Sequence, residues 1–72
     1  MKNNRLKEYR ERAGLSQTEL AWRAKVAAQN ISAIERGTLS PWPKVIKALV
    51  KVLKVTEAEL FPGENYHGKD NN

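Results

Sequence analysis

The chain has 72 residues, with 13 Lys plus Arg against 8 Asp plus Glu, a net charge of +5 and no cysteine. That size holds one small domain near the lower limit for a core without metal or disulfide, so a broad enzyme cleft and thiolate zinc sites are excluded. The basic balance, with a pI near 9.8, favours a polyanionic partner. No apolar run approaches the roughly 20 residues that span a bilayer, and no signal-peptide core follows Met1 to Arg5, so a cytoplasmic chain without a membrane partner is expected. His67 is the single histidine and has no partner at ligand spacing, so neither metal nor other cofactor is expected.

In chain order, a first helix is predicted from about Arg5 to Ala13, capped by Asn3 or Asn4 and stopped by Gly14. Leu6, Tyr9 and Ala13 recur at helical spacing and face the core, while Lys7 with Glu11 and Glu8 with Arg12 are opposite charges four apart. Ser16 followed by Glu19 is a capping box, which starts the second helix at Gln17. From there Leu20, Ala21, Ala24, Val26, Ile31 and Ile34 form the apolar seam that two short crossing helices require, with the turn at Lys25 and the third helix from Ala27 to Arg36, closed by Gly37. The seam leaves one face of the third helix open.

Ser40-Pro41-Trp42-Pro43 then breaks the chain, and a fourth helix runs from about Pro43 to Leu53. Val45, Ile46, Leu49, Val50 and Leu53 point inward, and Lys44, Lys47, Lys51 and Lys54 form a row that reads as a solvated face. Thr56 and Glu59 make a second capping box around a last turn carrying Leu60 and Phe61, which Pro62 and Gly63 end. Residues 1–61 are expected to be one domain and residues 62–72 a polar, flexible tail. With no strand pattern and no internal repeat, the fold class is all-α.

The segments LKEYRERAGLSQTELA, NISAIERG and VLKVTEAELF resemble the phage repressor and Cro-like helix-turn-helix family of small transcriptional regulators, over about Leu6 to Phe61. The resemblance implies a compact bundle of five short helices, with the helix-turn-helix at helices two and three. It further implies binding to double-stranded DNA as a homodimer on a two-fold symmetric operator, with the third helix in the major groove. Carried over by position, Ala28, Gln29, Ser32 and Ala33 face bases and Asn30 flanks them. The Gln29 amide suits N6 and N7 of adenine, and Ala28 and Ala33 offer methyl contacts to thymine, although each alanine reads equally as a helix former on an exposed face.

Gln17, Arg36, Thr38, Ser40 and Lys44 match positions that hold phosphates in the family, and Arg23 and Lys25 are further candidates. Arg10 and Glu35 match a structural ion pair. Trp42, Leu60 and Phe61 are the candidate dimer surface. Lys25 and Lys54 depart from the family's glycine at helix ends, Ala27 replaces a Ser or Thr cap, and Trp22 falls on the outward side of helix two. The leading expectation is therefore a repressor that binds its operator and catalyses no reaction. The alternative is an antitoxin or other interaction partner that neutralises a co-expressed protein through Trp22, Trp42 and the tail, and controls its own promoter.

Overall fold

Most helix boundaries among the described residues are set by short-range hydrogen bonds, and α4 starts at a proline. The computed structural model describes residues 4–62 and contains α1 (Leu6–Arg12), α2 (Gln17–Ala24), α3 (Ala28–Arg36), α4 (Pro43–Leu53) and α5 (Glu57–Leu60), with no strand among the described residues. Asn3, the tail from Gly63 onward and His67 lie outside the described residues.

At the start of α2 the Ser16 hydroxyl accepts from the Glu19 amide at 3.0 Å and the Glu19 carboxylate accepts from the Ser16 amide at 2.8 Å. Thr56 and Glu59 repeat the arrangement at α5, at 3.1 and 2.8 Å. These reciprocal bonds satisfy donors that a helix start would otherwise leave unpaired. The start of α1 is different: the cap residue is Arg5, whose side chain makes no cap bond, and the Asn4 carboxamide oxygen accepts from the Leu6 amide at 3.1 Å instead. The same Asn4 donates its side-chain N–H to the Ile34 carbonyl at 2.8 Å, so one residue ties the beginning of α1 to the last turn of α3.

α1 is a residue shorter at each end than its sequence pattern predicts. Ala13 is its C-cap, with its amide turned back to the Tyr9 and Arg10 carbonyls, and its side chain is exposed rather than in the core. On the surface of α1, Glu8 accepts from Arg12 at 2.6 Å and from Arg5 at 2.8 Å, and both guanidinium groups stand about 5 Å from the Tyr9 ring. α3 begins one residue later than predicted, at Ala28, because Ala27 is an extended N-cap without a side-chain bond.

Two helix ends close without glycine. Lys25 (φ 61°) and Lys54 (φ 58°) both occupy the left-handed region. The closing bonds explain why: Val26 N–H reaches the Ala21 carbonyl at 2.9 Å and Val55 N–H reaches the Val50 carbonyl at 3.2 Å, a pattern that requires a left-handed residue before it whatever its side chain.

The core is one cluster. Leu6, Leu20, Ile31, Ile34, Leu49 and Leu60 are fully enclosed, joined by Ala21, Ala24, Val45, Ile46, Leu53 and Phe61. Ala21 is small where α2 and α3 approach, and Val26, Val50 and Tyr9 are only partly covered. Leu60 and Phe61, candidates for a dimer surface, are 0% and 3% exposed and belong to the chain's own interior. The capping box turns the apolar edge of α5 onto the bundle, and the Leu60 carbonyl accepts from the Arg5 amide at 2.8 Å, which closes the two ends of the domain on each other. Of the three candidates, Trp42 alone is exposed.

Two measurements check these devices. A non-glycine residue in the left-handed region costs roughly 1 kcal/mol, so Lys54→Gly is expected to raise the unfolding free energy by up to about that amount in urea titration. Glu19 and Glu59 are held below their ordinary value of 4.5, first by the backbone N–H of Ser16 and Thr56, and Glu8 is lowered by its hydrogen bond from Arg5. Because the folded values lie below the unfolded ones, the stabilisation is complete above about pH 5 and disappears as pH falls through the folded values. The urea midpoint of the wild type is expected to drop across that acid range, and that of Glu19→Gln, which keeps a capping-box residue, to drop less steeply.

Candidate nucleic-acid interface

α3 has two unlike faces. Ile31, Ile34 and Glu35 are buried, Gln29 and Arg36 are exposed, and Ala28, Asn30, Ser32 and Ala33 are intermediate. Helical spacing puts Gln29, Ser32, Ala33 and Arg36 on one outward strip about two turns long. Arg36 bonds along that strip, donating from Nη1 to the Ser32 hydroxyl, and the Thr38 hydroxyl donates to the Ala33 carbonyl at 3.2 Å.

The buried face is fixed by charge. Arg10 on α1 and Glu35 on α3 are 8% and 4% exposed and meet through Nε and Oε2 at 2.6 Å and Nη2 and Oε1 at 3.3 Å. Arg10 also donates to the Leu15 carbonyl at 2.7 Å, and Gln17 donates from Nε2 to Glu35 Oε1 at 2.9 Å. The hydrogen bond to Glu35 holds the Arg10 guanidinium charged more firmly than in water, against the opposing effect of burial. Three elements are joined at one carboxylate: α1, the start of α2 and the end of α3.

This network changes the assignment of Gln17. Its side chain, a candidate phosphate ligand, is turned inward to Glu35, and one amide hydrogen is committed there. The amides of Gln17 and Thr18 lie in the first turn of α2 outside the capping box, where a helix presents donors and partial positive charge to an anion. Gln17 thus stands at the junction between the buried pair and the anion-accepting end of α2. Sequence spacing could not show this, because Gln17 and Glu35 lie 18 residues apart; the Asn4 link to Ile34, 30 residues away, was hidden for the same reason.

Three other candidates come together. Lys25, Asn30 and Lys44 border a groove of about 540 Å³ between the α2–α3 turn and the start of α4, over Ala24, Val26, Val45 and Ala48. Arg23, Thr38 and Ser40 are exposed but are not part of that groove. Trp22 is 80% and Trp42 54% exposed.

Charge is segregated over the surface. From Leu20 through Thr56 the charged residues are Arg23, Lys25, Arg36, Lys44, Lys47, Lys51 and Lys54, and the single acid is the buried Glu35. The other described acids, Glu8, Glu11, Glu19, Glu57 and Glu59, lie on α1, the first turn of α2 and α5. Such a distribution draws a polyanion to the part of the molecule built from α3, the turns beside it and α4. Among the described residues no group of acids and histidines could hold a metal ion, and no helix is long and apolar enough to cross a membrane.

Comparison with known proteins gives consistent findings. A family model described as a helix-turn-helix domain matches residues 4–61. The N-terminal DNA-binding domain of SinR from Bacillus subtilis is 37% identical, with a TM-score of 0.70 over 74% of this chain and 78% of that one. A crystal structure of SinR, the master regulator for biofilm formation, in complex with DNA matches at 37% identity and TM-score 0.70, over 74% and 86% of the two chains. A SinR–SinI protein complex matches at 33% identity and TM-score 0.78, over 90% of this chain and 64% of that one. No curated protein matches the sequence.

Removing the carboxylate of the buried pair tests its role in holding α3. Glu35→Ala leaves Arg10 buried without its counter-charge and is expected to lower the unfolding free energy by about 3 to 5 kcal/mol, read from urea titration. The double variant Arg10→Met/Glu35→Leu is expected to recover most of that loss.

Proposed function

The chain belongs to the helix-turn-helix domain family, and from that premise we propose that it is a sequence-specific regulator of transcription that binds double-stranded DNA with α3 in the major groove. The observation that carries the reading is the division of α3, whose inner face is pinned through Glu35 while its outer strip of Gln29, Ser32, Ala33 and Arg36 is open. A helix held rigidly on one side presents its other side to base edges in a fixed register. Gln29 reads adenine through its amide, Ala28 and Ala33 meet thymine methyl groups, and Ser32 and Asn30 supply adaptable hydrogen bonds.

Phosphates on either side of α3 are taken by the first-turn amides at Gln17, by Arg36 at the end of α3 and Thr38 and Ser40 after it, and by Arg23, Lys25 and Lys44. These contacts position the domain without reading sequence. Residues 1–61 act as one DNA-binding domain. A single copy makes few phosphate contacts, so specific affinity requires a homodimer on a two-fold symmetric operator, with Trp42 as the exposed aromatic at the contact between copies. Occupation of an operator that overlaps a promoter makes such a protein a repressor. A second reading, in which a protein partner controls or is neutralised by this chain, is supported by the 80% exposure of Trp22 on the outside of α2 and by the likeness to a chain in a SinR–SinI complex.

Selection of binding sites from random duplexes tests the DNA reading. The wild type is expected to return a symmetric site, and Gln29→Ala to lose preference at one position per half-site, worth about 1–3 kcal/mol. Arg36→Ala is expected to weaken binding to all sequences and to reduce the salt slope by about 1. Absence of both sequence preference and salt-dependent affinity in the wild type defeats the proposal.

A further inference from the structure

The outer face of α4 carries Lys44, Lys47 and Lys51, all exposed and opposite the buried Val45, Ile46, Leu49 and Leu53. Among the described residues no acid pairs with this row. α4 contains no acid, and none of the ion pairs among the described residues involves its lysines. Like charges three and four residues apart disfavour a helix.

Position sharpens the anomaly. The first turn of a helix repels cations, and α1, α2 and α5 each carry a glutamate there; α3 and α4 carry none, and only α4 combines that absence with a cation, Lys44 directly after Pro43. Solvated faces ordinarily mix both signs. A polyanion outside the protein would relieve a row of one sign begun at the helix end that least favours it.

The row also starts at the right place. Lys44 borders the same groove as Lys25 and Asn30, beside the first turn of α3, and from there the row runs seven residues along α4 to Lys51, about 10 Å. Phosphates follow one another by about 3.4 Å of rise along each strand, so the row is long enough to face several of them. We propose that the outer face of α4 is a second DNA-binding surface, on which Lys47 and Lys51 continue from Lys44 and engage phosphates of duplex beyond the base pairs that α3 covers. The inference rests on the DNA-binding reading above and extends it to flanking duplex that α3 does not touch.

The test compares wild type with Lys47→Gln/Lys51→Gln on two duplexes: the selected site alone, and the same site lengthened by about one helical turn, roughly 10 base pairs, at each end. Lengthening is expected to steepen the dependence of log K on log salt for the wild type. The double variant is expected to lose about 2 units of that slope on the long duplex, at about 0.9 per phosphate contact, to match the wild type on the short one, and to keep its base preferences. Lys51→Gln alone is expected to lose about half as much. Thermal melting monitors the fold, and with like charges removed the variants are expected to melt no lower than the wild type.

Equal slopes for wild type and double variant on the long duplex overturn the inference while leaving the proposed function standing. So does loss of binding to polyglutamate with the DNA slopes intact, which assigns the face to an acidic protein. Failure of the wild type to bind either duplex overturns the DNA reading and this inference with it.

Discussion

The arrangement of this domain depends on one buried carboxylate. Glu35 accepts from Arg10 on α1 and from Gln17 at the start of α2, while its own backbone belongs to α3. A charge taken out of water tolerates little displacement, because each lost hydrogen bond leaves part of it unpaired. Apolar contact alone allows short helices to slide and rotate on one another. The ion pair removes that freedom at the C-terminal end of α3, and the Asn4 bond to the Ile34 carbonyl adds a neutral tie in the same turn. The direction in which Gln29 and Arg36 point is therefore decided by residues that face the other way.

That constraint accounts for the uneven legibility of the sequence. The capping boxes at Ser16/Glu19 and Thr56/Glu59, Pro43 at the first position of α4 and the apolar periodicity of α2 to α4 are local patterns, and the helices they mark fall where the pattern puts them. Only terminal residues move, as at Ala13 and Ala27, where the outcome depends on where a single amide turns. Leu60 and Phe61 show a different limit. Two apolar residues after a short helix suit a core or an interface equally well by composition, and the difference lies in whether the domain has already filled that space.

The candidate site is legible in the sequence as a set of positions carried over from the family resemblance and not as a geometry. Helical spacing adds that Gln29, Ser32, Ala33 and Arg36 share one strip. It gives no sign that Gln17 bends inward, that Arg36 lies against Ser32, or that Lys25, Asn30 and Lys44 border a common groove. Those relations depend on tertiary approach between elements far apart in the chain. The two left-handed lysines belong to a third kind, in which the sequence argues against a conformation that the closing hydrogen bonds nevertheless impose.

The placement of the two tryptophans has an optical consequence. Both indoles stand at the surface, Trp22 at 80% and Trp42 at 54% exposure, while the buried hydrophobic side chains are aliphatic apart from Phe61. Emission from such rings is that of indole already in contact with water, so unfolding changes their surroundings little. What does change them is another molecule coming to rest on α2 or on the approach to α4. The domain carries its fluorophores as reporters of what it touches, and its own melting is better followed through its helical backbone.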